Sequence, residues 1–270
     1  MRNTGWLAVL LFFFVATSVA QMPPRAELTS HPKAGPDIPH TFKTFTEAQL
    51  RAGIAIVSGR SHAMFGYNTP EVRLLLPKVS NSAYADIDFS DPALVDAAGK
   101  PVRIELERGG YNEEKFSDEI RFRSPDSDAV VTFARVRGSV KVKYPLEVQT
   151  LTLTPADPGP KELALKLDGP FVSFAPDVLE VPDVSFTDLK PIRAYDAAGR
   201  LLERYSYSET STDDDGNYAT RMAFYGNVAR LEIDVVPEQA WVELNLPYNL
   251  TPAPLLPAGH EGEDPDAPQP

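Results

Sequence analysis

The chain has 270 residues, 26 Lys and Arg against 38 Asp and Glu, a formal net charge of −12 and no cysteine. The acidic balance argues against nucleic acid and anionic membrane surfaces as partners of the whole protein. Without cysteine there can be no disulfide and no thiolate metal site, so stability has to come from burial.

Residues 1–20 read as a signal peptide. A cation at Arg2 precedes an apolar run from Trp6 to Ala16, and Ser18-Val19-Ala20 is a small-x-small ending with cleavage expected after Ala20. The run is short for a spanning helix, and no later segment approaches that length. A mature protein of the periplasm or outside the cell is expected, without membrane insertion, from a bacterial envelope. Residues 21–40 are rich in Pro, Ser, Gly and Lys without apolar periodicity, which predicts a disordered leader.

The first structured unit is placed at 41–155. It opens on a possible short helix over Thr44–Ile54, with Thr46 as N-cap. Alternating strands then follow at Tyr84–Phe89, Val102–Glu107, Asp118–Arg123 and Phe133–Pro145. The Pro-rich stretch Thr154–Glu162 marks a boundary. A second unit, 161–250, carries strands at Ala229–Val235 and Trp241–Leu246. Residues 251–270 form a Pro-rich tail, acidic at Glu261, Glu263, Asp264 and Asp266, also predicted to be disordered.

The tetrapeptide DAAG occurs at Asp96–Gly99 and again at Asp196–Gly199. Around each copy the elements run in the same order. Phe89–Pro92 faces Phe186–Leu189, a strand and a polar loop follow, then Gly138 or Gly226 and an alternating strand, and each unit closes on Leu151–Pro155 or Leu244–Pro247. This order predicts an all-β chain of two tandem, related β-sandwich domains of immunoglobulin-like size, though the Cys…Trp…Cys signature is absent. The alternative is the strand–loop–strand grammar that any two sandwiches share.

Chemistry-bearing patterns are few. Of the histidines, only His62 lies well inside a structured stretch; His31 and His260 fall in the tails and His40 at a domain edge. No metal or cofactor is expected. Gly59–Ala63 lacks the second glycine of a nucleophile elbow and reads as a turn. Ser211–Met222 places Asp213, Asp215 and Gly216 as in a calcium loop but has Met222 where a bidentate Glu belongs, so a hairpin loop is preferred. Asp86 and Asp88 share one strand face at i and i+2, a spacing open to paired-carboxylate chemistry on polysaccharide and equally to a solvated face.

The most unusual feature is Phe133–Pro145. Read as one strand, it turns Val136, Val140 and Val142 inward and Arg135, Arg137, Lys141 and Lys143 outward, with no acid interrupting them. The matching strand of the second unit presents Arg230, Glu232 and Asp234 instead. The four cations are the candidate ligand-binding residues, for an acidic protein or an anionic glycan; protection of a sheet edge is the competing role. The functional expectation is an exported, non-catalytic binding protein. The alternatives are a polysaccharide-acting enzyme using Asp86 and Asp88, or a structural spacer.

Overall fold

The computed structural model describes residues 23–36, 38–63, 66–110, 116–125, 131–175, 178–179, 191–212 and 218–253. The expected signal peptide, the Asp213–Asp215 loop and the acidic end of the tail lie outside them. Among the described residues no helix is long and apolar enough to cross a bilayer.

The protein is all-β, built from antiparallel sheets with few helices. The first seven strands are β1 (Ala55–Ala63), β2 (Gly66–Leu75), β3 (Asp86–Val95), β4 (Glu105–Arg108), β5 (Ser117–Arg123), β6 (Arg135–Pro145) and β7 (Gln149–Leu153). The next seven are β8 (Lys166–Asp168), β9 (Phe171–Phe174), β10 (Ile192–Tyr195), β11 (Arg204–Thr212), β12 (Tyr218–Phe224), β13 (Arg230–Val235) and β14 (Trp241–Leu250). Two helices precede them, α1 (Arg25–Ser30) and α2 (Glu47–Gly53). Helix α2 starts where the sequence places it, on a capping box between Thr46 and Gln49.

Four sheets face one another in two sandwich-like pairs. Sheet β1-β2-β5-β4 packs on β14-β6-β3, and Val72, Leu74, Ile120 and Phe122 meet Ile87, Val140, Val142 and Leu244 in one core. Sheet β8-β9-β12-β11 packs on β10-β13-β7, and Val172, Phe174 and Phe224 meet Leu153, Leu231 and Ile233 in the other. Adding seven to each strand number converts β1-β2-β5-β4 into β8-β9-β12-β11 and β3-β6 into β10-β13.

The DAAG repeat is structural. Asp96 Oδ1 accepts from the Ala98 and Lys100 amides, each at 2.8 Å, and Asp196 Oδ1 accepts from Ala198 and Arg200, each at 2.9 Å. The turn then needs a left-handed residue, and Gly99 and Gly199 take it at φ +79° and +78°. Beyond it, Val102 N donates to Leu94 O and Leu202 N to Ala194 O. The same five-residue turn therefore caps β3 and β10.

One pairing breaks the parallel. By strand count β7 should pair with β6 and β14 with β13. Instead β14 pairs with β6 over ten residues, from Trp241↔Pro145 to Leu250↔Val136, and β7 pairs with β13 over five. The two halves exchange their seventh strands reciprocally. The sheets therefore do not divide at residues 155–161, where composition places a boundary. The crossing segments, 146–148 and 236–240, touch where Leu146 N donates to Ala240 O at 2.8 Å.

The leader is not disordered in its described part. Helix α1 buries Leu28 completely against Phe171 and Ala223. Lys33 and Gly35 add backbone hydrogen bonds to Tyr225, Glu203 and Leu201, and Ile38 and Phe42 pack at the junction beside Tyr84, Val148 and Val236. The start of the tail is held as well. The carbonyls of Thr251 and Ala253 accept from Ser58 Oγ at 2.6 Å and Arg60 Nε at 3.0 Å. Gly59–Ala63, read as a turn, is the second half of β1.

Candidate functional site

Strand β6 turns its side chains as the alternation requires. Val136, Val140 and Val142 are buried; Arg135, Arg137, Lys141 and Lys143 are exposed on one outer face. The strand lies in the middle of its sheet, between β3 and β14, so edge protection cannot explain the cations.

The neighbouring strands split the stripe into two parts. Lys143 faces Asp86 on one side and Glu243 on the other, and Lys141 faces Asp88 and Asn245. Lys143 Nζ also stands 4.7 Å from the centre of the Trp241 ring. These residues border a shallow depression of about 450 Å³. Asp86 and Asp88, the candidate carboxylate pair, are thus opposed by two lysines on an open sheet face. The other end differs. Arg137 faces Ala93 and Asn249, and Arg135 faces Val95, with no ion pair among the described residues. Sequence reading missed this division because it depends on which strands lie beside β6.

The other cation-rich sheet face behaves differently. On β2, β4 and β5 the side chains of Arg73, Arg121 and Arg123 alternate with Glu71, Glu119 and Glu107 in a continuous ion-pair ladder. Glu71 is fully buried there, and burial followed by the nearby Glu119 charge raises its pKa.

The second half has its own counterpart of the β6 face. Counting from the turn-flanking pairs Val95↔Arg135 and Tyr195↔Arg230, Arg137 corresponds to Glu232 and Ala93 to Arg193. This face is covered by the leader, whose residues 35–36 and 38–42 lie above β10, β13 and β7 and enclose a cleft of about 490 Å³. At its inner end a charged cluster joins both halves. Asp234 is fully buried. It accepts from Arg193 Nη1 at 2.5 Å, Arg193 Nη2 at 2.8 Å, Thr150 Oγ1 at 2.7 Å and Tyr84 Oη at 3.0 Å. His40 Nε2 stands 3.7 Å from the same carboxylate. Burial, then the Asp234 charge, raises the Tyr84 pKa. For Arg193, burial works against the charged form, but the Asp234 hydrogen bonds outweigh it and the pKa rises. These bonds tie β13 to β10, to β7 and to Tyr84 of the first half.

No family model, curated protein or solved structure matches the chain. The described residues also contain no group of three or more His, Asp and Glu placed to hold a metal ion.

Proposed function

We propose that the protein is an exported, non-catalytic binding protein of a bacterial envelope. Its body is read as two tandem immunoglobulin-like sandwiches, and its contact surface as the outer face of β14-β6-β3. The strand orders support the architectural reading, since 1-2-5-4 facing 3-6-7 is the constant-type immunoglobulin arrangement. The exchange of β7 and β14 is a variation on it.

One observation carries the functional reading. Of two equivalent sheet faces, the second is covered by the chain's own leader, while nothing among the described residues covers the first. The uncovered face holds Arg135 and Arg137 with no acid directly opposite them among the described residues, beside a zone where Lys141 and Lys143 alternate with Asp86, Asp88 and Glu243. A uniformly anionic glycan would meet three carboxylates in that zone. An acidic protein can place carboxylates over the arginines and mixed charges over the rest, so the partner is an acidic protein.

The test is association with a partner captured by the mature protein from envelope extract. Reversing Arg135 and Arg137 to Glu is expected to slow association and remove its salt dependence. The same reversal at Lys141 and Lys143 is expected to do less, because acids already stand beside them. Association indifferent to salt and to both reversals defeats the proposal.

A further inference from the structure

We propose that the cleft beneath the leader binds a small amphipathic carboxylate, with its carboxylate on Arg204 and its apolar body under the leader. This site is separate from the β14-β6-β3 face, and neither proposal depends on the other.

The cleft is built and held open. The leader is fixed at one end by backbone hydrogen bonds at Lys33 and Gly35 to the second half. At the other end, the Thr41 and Lys43 amides donate to Ser80 Oγ and Asn81 Oδ1 of the first half at 2.8 and 2.9 Å. The intervening arch therefore bridges two bodies. A volume of about 490 Å³ lies in the range of small-molecule sites, roughly 300–1,000 Å³.

The lining selects the chemistry. Pro36, Ile38, Phe42 and Leu202 supply apolar surface. The other charged groups of the lining are already engaged. Arg193 is held by Asp234, and Glu232 accepts from Tyr195 Oη at 3.0 Å and Arg230 Nη1 at 2.7 Å. Glu203, also in the lining, has Lys33 at 4.0 Å. Arg204 differs from all of these. It lines the cleft, it is exposed, and its guanidinium has no ion pair or side-chain hydrogen bond among the described residues. One unengaged guanidinium in the lining of a mainly apolar cleft suits a ligand with a single planar anion and an apolar body, because a guanidinium takes a carboxylate through two parallel hydrogen bonds.

The probes are 3-phenylpropionate and 3-phenylpropanol, which share an apolar body and differ in the anion. Titration calorimetry on the full chain is expected to give affinity for the carboxylate at least about tenfold above that for the alcohol. The carboxylate is also expected to raise the melting midpoint. Arg204→Met keeps the apolar stem on an exposed position. It is expected to leave the unliganded melt unchanged and to bring the two affinities together. Equal affinities in the natural chain, a preference that survives Arg204→Met, or no binding of either probe at millimolar concentration overturns the proposal.

Discussion

Leu244 lies in the second half of the chain, yet its side chain is 2 % exposed within the first core, on β14 opposite Val142 of β6. Leu244→Ala separates the exchanged arrangement from the one in which each half keeps its own last strand. Truncating a buried leucine costs about 3 kcal/mol, the lost transfer energy plus an unfilled cavity. Against a domain stability of about 5–15 kcal/mol the protein stays folded, and amides that exchange through opening of the affected body speed up by about 100-fold. Hydrogen exchange followed by mass spectrometry or NMR reads where this occurs. With exchanged strands, protection falls in β3 and β6, whether or not the second half follows. If protection falls in β10 and β13 while β3 and β6 keep theirs, β14 closes its own half and the reasoning is refuted.

Other perturbations address the remaining features. A protease site placed in the exposed stretch Asp157–Gly159 is expected to leave both fragments eluting together after cleavage, since each fragment holds a strand of the other's sheet; separate elution would contradict the exchange. Asp234→Asn removes the carboxylate that takes two hydrogen bonds from the buried Arg193 guanidinium, leaving Glu232 at 3.5 Å as its counter-charge, and is expected to cost about 1.5–3 kcal/mol in urea unfolding. Removing residues 23–36 is expected to lower the melting midpoint, because Leu28 is fully buried; an unchanged melt would mean that the leader does not dock. Burial pushes the Tyr144 and Tyr248 phenols up to about 12 from an ordinary value of about 10. The unfolded chain thus loses these protons first, and stability present below about pH 10 falls as pH rises toward 12. The Tyr248 hydroxyl has no hydrogen-bond partner among the described residues, so Tyr248→Phe is expected to be nearly neutral at pH 7 and to flatten part of that alkaline loss.

Much of this architecture is legible in the residues. Alternation in β6 gives the inward valines and the outward cations, because a strand's pleat alone decides which face each side chain takes. The DAAG turn is equally local: one aspartate collects two amides and one glycine supplies the left-handed residue. Partner choice is not local. Gln149–Leu153 and Trp241–Leu250 both alternate apolar and polar residues, so either could lie beside β6 or β13, and alternation does not say which. The acids that answer Lys141 and Lys143 went unseen for that reason, since Asp86, Asp88 and Glu243 sit about 55 and 100 residues away in the chain. The leader is illegible for a different reason. Leu28, Ile38 and Phe42 are isolated apolar residues without a period, and each is buried by something outside its own segment. Arg204 carried no sequence signal, because its surroundings come from the leader crossing above the second half.

The reciprocal exchange has a consequence for synthesis. The strand that completes the first sheet pair is made last, with β6 ending at Pro145 and its neighbour β14 starting at Trp241. As the chain emerges, β6 meets β7 first, across three residues, a length that suits an ordinary hairpin. That hairpin would close the first half early and leave β13 to close on β14 across five residues, yielding a molecule of beads on a string with no crossing. Which form accumulates is settled by whether β7 waits. The leader and the Asp234 cluster both bind across the junction, so their contacts favour the crossed form only after the whole chain is present. Maturation is therefore a late event, set by the arrival of the C-terminal strand.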